Sequence, residues 1–152
     1  MLRLVLERLD DPAGAALAAA LGAELQVRYG SPDEADGLVP DQLAPPHGTF
    51  LVVWLDEEAV GCGGLRRIDA NVAEIKRMFV TASARRRGVA RAVLSELELH
   101  ARALAYTRLI LETGTKQPEA IALYTSHGYE PIEPYGVYAD SPLSRCFAKD
   151  LA

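Results

Sequence analysis

The chain has 152 residues, 49% of them hydrophobic, enough apolar material to build one domain over residues 1–152. Its formal net charge of −5 argues against a general nucleic-acid binder, and its longest strong apolar run, FLVVWL, is strand-sized rather than membrane-spanning. Two cysteines, no spaced Cys/His cluster and a charge-interrupted start, MLRLVLERLDDP, read as a reduced cytoplasmic protein with no signal peptide, no bound metal and no membrane segment.

LRLVLERL (2–9) alternates weakly and predicts a first strand; Asp11 and Pro12 then open an alanine-rich helix running to about Val27. Residues 29–48, rich in Gly, Pro and Asp, predict a long loop with a short helical turn inside. TFLVVWLD (49–56), AVGCGGLRRI (59–68) and VAEIKRMFV (72–80) follow as an antiparallel meander, with the glycines of the middle strand marking a bulge or a close backbone approach. A helix from about Gly88 to Ala105 carries the apolar stripe Ala90, Val93, Leu94, Leu97, Ala101 and Leu104. TRLILET (107–113) is a buried strand, and a helix opened by Pro118 stops at Gly128. YEPIE is a short strand, PYGVYADSP a loop and LSRCFAKDL a last strand, whose open edge would allow a homodimer although no residue points to one. The sum is an α/β fold with a mixed sheet and helices on both faces.

Charge is unevenly placed. Between Tyr29 and Leu65 there are seven Asp or Glu and no Lys or Arg, after which Arg66–Arg67, Lys76–Arg77 and Arg85–Arg87 follow. The last group stands where a strand gives way to a helix, and arginine opposes the dipole of a helix start. Unpaired first-turn amides, Gly88 without a Cβ, a small Ala90 and three guanidinium groups instead describe an anion site. Nucleic acid, a nucleotide phosphate and the diphosphate of coenzyme A are the candidate anions. Neither a Gly-x-x-x-x-Gly-Lys-Ser/Thr loop nor a Gly-x-Gly-x-x-Gly after a first strand is present. An RNA-contacting module would want stacking aromatics, and Phe79 stands alone near the arginines.

RRRGVA (85–90) resembles the Arg/Gln-x-x-Gly-x-Gly/Ala diphosphate loop of the Gcn5-related N-acetyltransferases. AEIKRMFV looks like that family's fourth strand, and LETGTKQPEAIALYTSHGYEPI like its fifth strand, last long helix and sixth strand. The order of elements agrees over nearly the whole chain, with Ala90 where many members have a second glycine. The resemblance implies a mostly antiparallel sheet splayed at its centre and acetyl-CoA as cosubstrate. It implies a donor site made of Met78, Phe79 and Val80 along the pantetheine arm and of Arg85, Arg86, Arg87, Gly88, Val89, Ala90 and Arg91 around the diphosphate, with the amide of Phe79 or Val80 polarising the thioester carbonyl.

Acetyl transfer to an amine requires a neutral nucleophile, stabilisation of the oxyanion and a proton for the leaving thiolate. Tyr124, in ALYTSHGY, matches the family's usual acid, and Glu74, a charge in mid-strand, is the base candidate, acting directly or through water. Glu112 is the weaker rival. Cys62 reads as a buried small hydrophobe and Tyr129 as core. The resemblance also places residues 29–48 and 133–142 beside the acceptor. Asp33, Glu34, Asp36 and Asp41 there would attract a cationic small-molecule or peptide amine, with Tyr29, Tyr135 and Tyr138 as walls. A non-catalytic acyl-CoA-binding domain, or a different acyl-CoA, are the readings left beside it.

Overall fold

The computed structural model describes residues 1–30 and 37–151. Strand β1 (Leu2–Leu6) lies antiparallel to β2 (Thr49–Leu55), with Leu4 opposite Val53. β2 turns into β3 (Glu58–Arg67) and β3 into β4 (Val72–Val80), completing the expected meander. β5 (Arg108–Gly114) runs parallel to β4, and β7 (Ser144–Asp150) inserts between β5 and the short β6 (Glu130–Ile132). The seven-stranded order is therefore β1-β2-β3-β4-β5-β7-β6. The last strand is not an open edge: β5 and β6 pair with it on its two sides, which removes the argument for a homodimer drawn from it.

Helix α1 (Pro12–Tyr29) begins with proline in its first turn and ends on Gly30 at a left-handed φ of 75°, whose amide donates to the Gln26 carbonyl. Asp11 stands at its N-cap, but its carboxylate turns back to accept the Arg8 amide at 3.0 Å instead of capping the helix. A 3-10 turn at Pro40–Leu43 supplies the helical turn expected in the long loop. Helix α2 (Val89–Ala103) and helix α3 (Pro118–Ser126) fill the remaining expected positions, Gly128 at φ 88° following α3. Among the described residues no helix is long and apolar enough to cross a membrane.

The apolar run of β2 is explained by cover on both faces. Leu51 and Val53 join Val93, Leu94 and Leu97 of α2 and Tyr124 of α3 in one core. Phe50 and Val52 join Leu17 of α1, Cys62 and Phe79 in a second. Leu104, expected on the α2 stripe, is exposed because the helix ends before it, whereas Glu98 is buried on the same face. Cys62 and Cys146 are both buried and free.

Close packing of α2 on the meander depends on Gly63. A Cβ there would stand 2.6 Å from Met78 Sδ and 2.7 Å from Val93 Cγ1. Gly63→Ala is expected to lower stability by about 1–3 kcal/mol through overpacking, read as a shifted urea midpoint; an unchanged midpoint would show that α2 yields freely.

Candidate active site

β4 and β5 part company early. Their parallel pairing runs only from Val72–Arg108 to Glu74–Ile110. Beyond Glu74 no strand among the described residues lies against the β5-facing edge of β4. The register of β3 on β4 also slips between Cys62 and Gly64, and Arg77 takes a left-handed φ of 60°. The buried Cys62 thiol donates to the Arg77 carbonyl at 3.2 Å, holding this bulge, and burial raises the thiol pKa to about 12. Such a bulge bends a strand and re-aims its side chains. Between the parted strands lies a cleft of about 830 Å³, walled by α1, β4, the start of α2, the end of β5, α3 and the 138–144 segment.

One end of the cleft is the start of α2. Gly88 precedes the helix at φ 78°, no side chain caps it, and Arg86 also has a left-handed φ, 66°. The first-turn amides are thus left without intrahelical partners. A Cβ on Gly88 would meet no atom of the described residues within 4 Å, so the approach is open. Arg86, Gly88, Val89, Ala90 and Arg91 line the cleft; the Val89 side chain is buried in the core, so its contribution there is backbone. The three arginines do not act alike. Arg87 is exposed and outside the lining, while Arg85 turns inward, its Nε donating to the Val80 carbonyl at 3.0 Å and its NH2 pairing with Glu24 of α1. Arg85 therefore ties the end of β4 to α1. Met78, Phe79 and Val80 line the cleft beside it; the Phe79 ring packs in the α1-side core with the Arg85 guanidinium 5.8 Å from its centre.

Tyr124 projects from α3 into the same cleft, 5% exposed, and burial raises its pKa. Its hydroxyl has no hydrogen-bond partner among the described residues. Tyr129 meets it edge to face, ring centres 5.8 Å apart, and is core as expected. The Tyr129 hydroxyl donates to Glu98 Oε2 at 2.8 Å, and Lys149 Nζ reaches Glu98 Oε1 at 3.0 Å. This group ties α2 to β7 and to the segment that follows α3.

The two carboxylate candidates separate. Glu74 is 3% exposed and does not line the cleft; Oε1 accepts from Arg66 Nε and NH2, and Oε2 accepts the Tyr135 hydroxyl at 2.8 Å. Burial first, and the Glu74 charge second, raise the Tyr135 pKa. Glu112 does line the cleft, half-buried, its Oε2 accepting the Ser144 hydroxyl at 2.9 Å. Lys76, Arg77 and Tyr138 complete that wall.

Sequence reasoning missed Ser144, Lys76 and Arg77 as lining residues. Ser144 had no local signal, but the KR pair in a strand otherwise bound for the core was one. Tyr29, expected as a wall, lines the cleft and also bridges its sides: its hydroxyl accepts the Lys116 amide at 3.0 Å, joining α1 to the β5–α3 turn. Asp33, Glu34 and Asp36 lie outside the described residues. Asp41 pairs with Arg8 at 2.7 Å, away from the cleft lining.

The model of the acetyltransferase (GNAT) family matches residues 15–129. The uncharacterized N-acetyltransferase YsnE of Bacillus subtilis (strain 168) is 33% identical over 148 residues, covering 95% of this chain and 98% of that protein. A candidate acyl-CoA N-acyltransferase from Klebsiella pneumoniae superposes with a TM-score of 0.85 at 30% identity, over 100% of this chain and 99% of that one. A GNAT family acetyltransferase from Elizabethkingia anophelis, solved with acetyl-CoA bound, shares the fold at a TM-score of 0.73 and 17% identity, over 98% of this chain and 97% of that one.

Proposed function

The chain belongs to the GNAT acetyltransferase family, and from that premise we propose that it moves the acetyl group of acetyl-CoA to a small primary amine by direct attack. Acetyl-CoA supplies an activated thioester, so no cysteine nucleophile is called for, and Cys62 is buried in a structural role. The observation that carries the proposal is one cleft holding both an uncapped, open helix start and a buried tyrosine hydroxyl without a described partner.

The residues divide the work. The amides at Arg86–Ala90 take the diphosphate, helped by the α2 dipole and by Arg86 and Arg91. The unpaired edge of β4 at Met78–Val80 takes the pantetheine arm as an added strand, and one of its amides, at Phe79 or Val80, faces the carbonyl oxygen. The amine nitrogen forms the new C–N bond as the C–S bond breaks. Glu112 receives the amine proton, and the Tyr124 hydroxyl meets the leaving sulfur. Glu74, the base expected from the sequence, is not among the residues lining the cleft and has both oxygens engaged, which favours Glu112 in this reading; its part here is to hold Tyr135 and with it the 133–142 segment.

A thiol-release screen of primary amines with acetyl-CoA tests this reading. Release that depends on one class of amine is expected; tight acetyl-CoA binding without release from any amine would leave a binding domain. The helix start has its own test. Gly88→Val forces a β-branched residue into a left-handed conformation, at a cost of about 1–3 kcal/mol of stability, and puts methyl groups in the anion's path. Its Kd for acetyl-CoA should rise at least about tenfold by calorimetry; an unchanged Kd would remove the diphosphate from this site.

A further inference from the structure

Beyond their last paired residues the two strands carry opposite charge along the cleft. Glu74 and Ile110 are the last residues in register. Two positions further along, β4 presents Lys76, followed by Arg77, and β5 presents Glu112; all three line the cleft. Arg77 holds its left-handed φ on a bulge fixed from behind by the Cys62 thiol. A non-glycine residue keeps such a conformation only where its surroundings impose it, and these positions gather at binding sites.

The donor does not account for these cations. With the diphosphate at the start of α2 and the pantetheine arm along residues 78–80, Lys76 and Arg77 fall at the acyl end, where an acetyl thioester is uncharged. Of the other cleft cations, Arg28 pairs with Glu119 and Arg85 with Glu24, while Arg86 and Arg91 lie at the helix start. Lys76, Arg77 and Glu112 each have an interaction within the protein, which an incoming carboxylate or amine would join. A purely cationic amine would meet two like charges there.

Building on the acetyl-transfer reading, we infer that the acceptor is an amine that also carries a carboxylate, an amino acid or a similar zwitterion, with its carboxylate on Lys76 and Arg77 and its amine toward Glu112. Arginine suits a carboxylate because its paired N–H groups match the two oxygens. Lys76 adds a mobile point charge beside it. This arrangement orients the nitrogen into the cleft and selects against polyamines by charge.

The test compares acceptors that differ only at the carboxylate. Free amino acids and their carboxamides are assayed with acetyl-CoA by thiol release, and the same pairs are titrated calorimetrically into the CoA-loaded protein, which reads the preference whether or not turnover occurs. The free acids should be preferred at least about tenfold. Lys76→Gln and Arg77→Gln should each shrink that preference while leaving the Kd for acetyl-CoA unchanged; Lys76→Gln keeps the question open to measurement if the strained Arg77 position does not accept glutamine. Equal use of acid and amide, or preferred acetylation of polyamines, overturns the inference while acetyl transfer stands. Preference for a dicarboxylic acyl-CoA with a carboxylate-free amine puts the anion on the acyl chain and overturns it too. Loss of acetyl-CoA binding altogether is a failure of the transfer reading, and the same acid and amide pairs titrated into the protein alone then decide the carboxylate.

Discussion

Tyr124→Phe will lower the turnover of acetyl transfer by roughly a hundredfold or more, with the Kd for acetyl-CoA and the folded stability nearly intact. The separation follows from the burial of a hydroxyl with no described partner. Deleting it breaks no hydrogen bond among the described residues, and the ring keeps its edge contact with Tyr129, so stability should move by less than about 1 kcal/mol. On the proposed reading the leaving thiolate, in contrast, loses its proton donor. The pH profile adds a second reading. Burial raises the Tyr124 pKa, so the phenol stays protonated through neutral and mildly alkaline solution. The variant should therefore keep the shape of the wild-type profile below about pH 10 and lower only its height. A variant with full turnover would take the acid role away from Tyr124, whereas a variant that loses an alkaline limb present in the wild type would keep the acid role and contradict only the raised pKa.

Glu112→Gln and Glu74→Gln should fail in different ways. Glu112→Gln is expected to cut kcat/KM by roughly a hundredfold near neutrality. The deficit should narrow as pH rises toward the pKa of the acceptor amine, because an amine already neutral has one less proton to give up. Glu74→Gln leaves the Arg66 charge half-buried without its counter-charge and weakens the anchor of Tyr135. Its main effect should be a loss of about 3 kcal/mol in urea unfolding, with a raised KM for the amine as the 133–142 segment loosens. A large, pH-sensitive fall in kcat from Glu74→Gln, with Glu112→Gln close to wild type, would return the base to Glu74.

The residues that were legible in the sequence are those whose role is local. Proline opens α1, proline and glycine delimit α3, and the spacing of Val93, Leu94 and Leu97 gives the buried face of α2, because only short-range sterics and periodicity are involved. The glycines of β3 likewise announced an irregularity, and the register slip occurs beside Gly63. What the chain conceals is set by pairing between distant segments. The insertion of β7 between β5 and β6 depends on sheet register across more than thirty residues, and no periodicity records it. The division of labour among the arginines is hidden for the same reason: Arg85 is claimed by Glu24, sixty-one positions earlier, and three consecutive arginines look alike until α1 is folded against β4. Glu74 and Glu112 were both visible as charges in strands. Which of them opens into the cleft depends on Arg66 and Tyr135 closing over one and Ser144 bonding the other.

The bare start of α2 can be probed with the wild-type protein alone, by titrating acetyl-CoA and S-acetylpantetheine in parallel. The two share the thioester and the arm and differ in the nucleotide and diphosphate. Acetyl-CoA should bind at least about a hundredfold more tightly, a gap of about 2.7 kcal/mol, and the gap should shrink in Gly88→Val. Equal affinities in the wild type would mean that the amides following the arginine run hold nothing, and the account of the cleft as an acetyl-CoA site would fail.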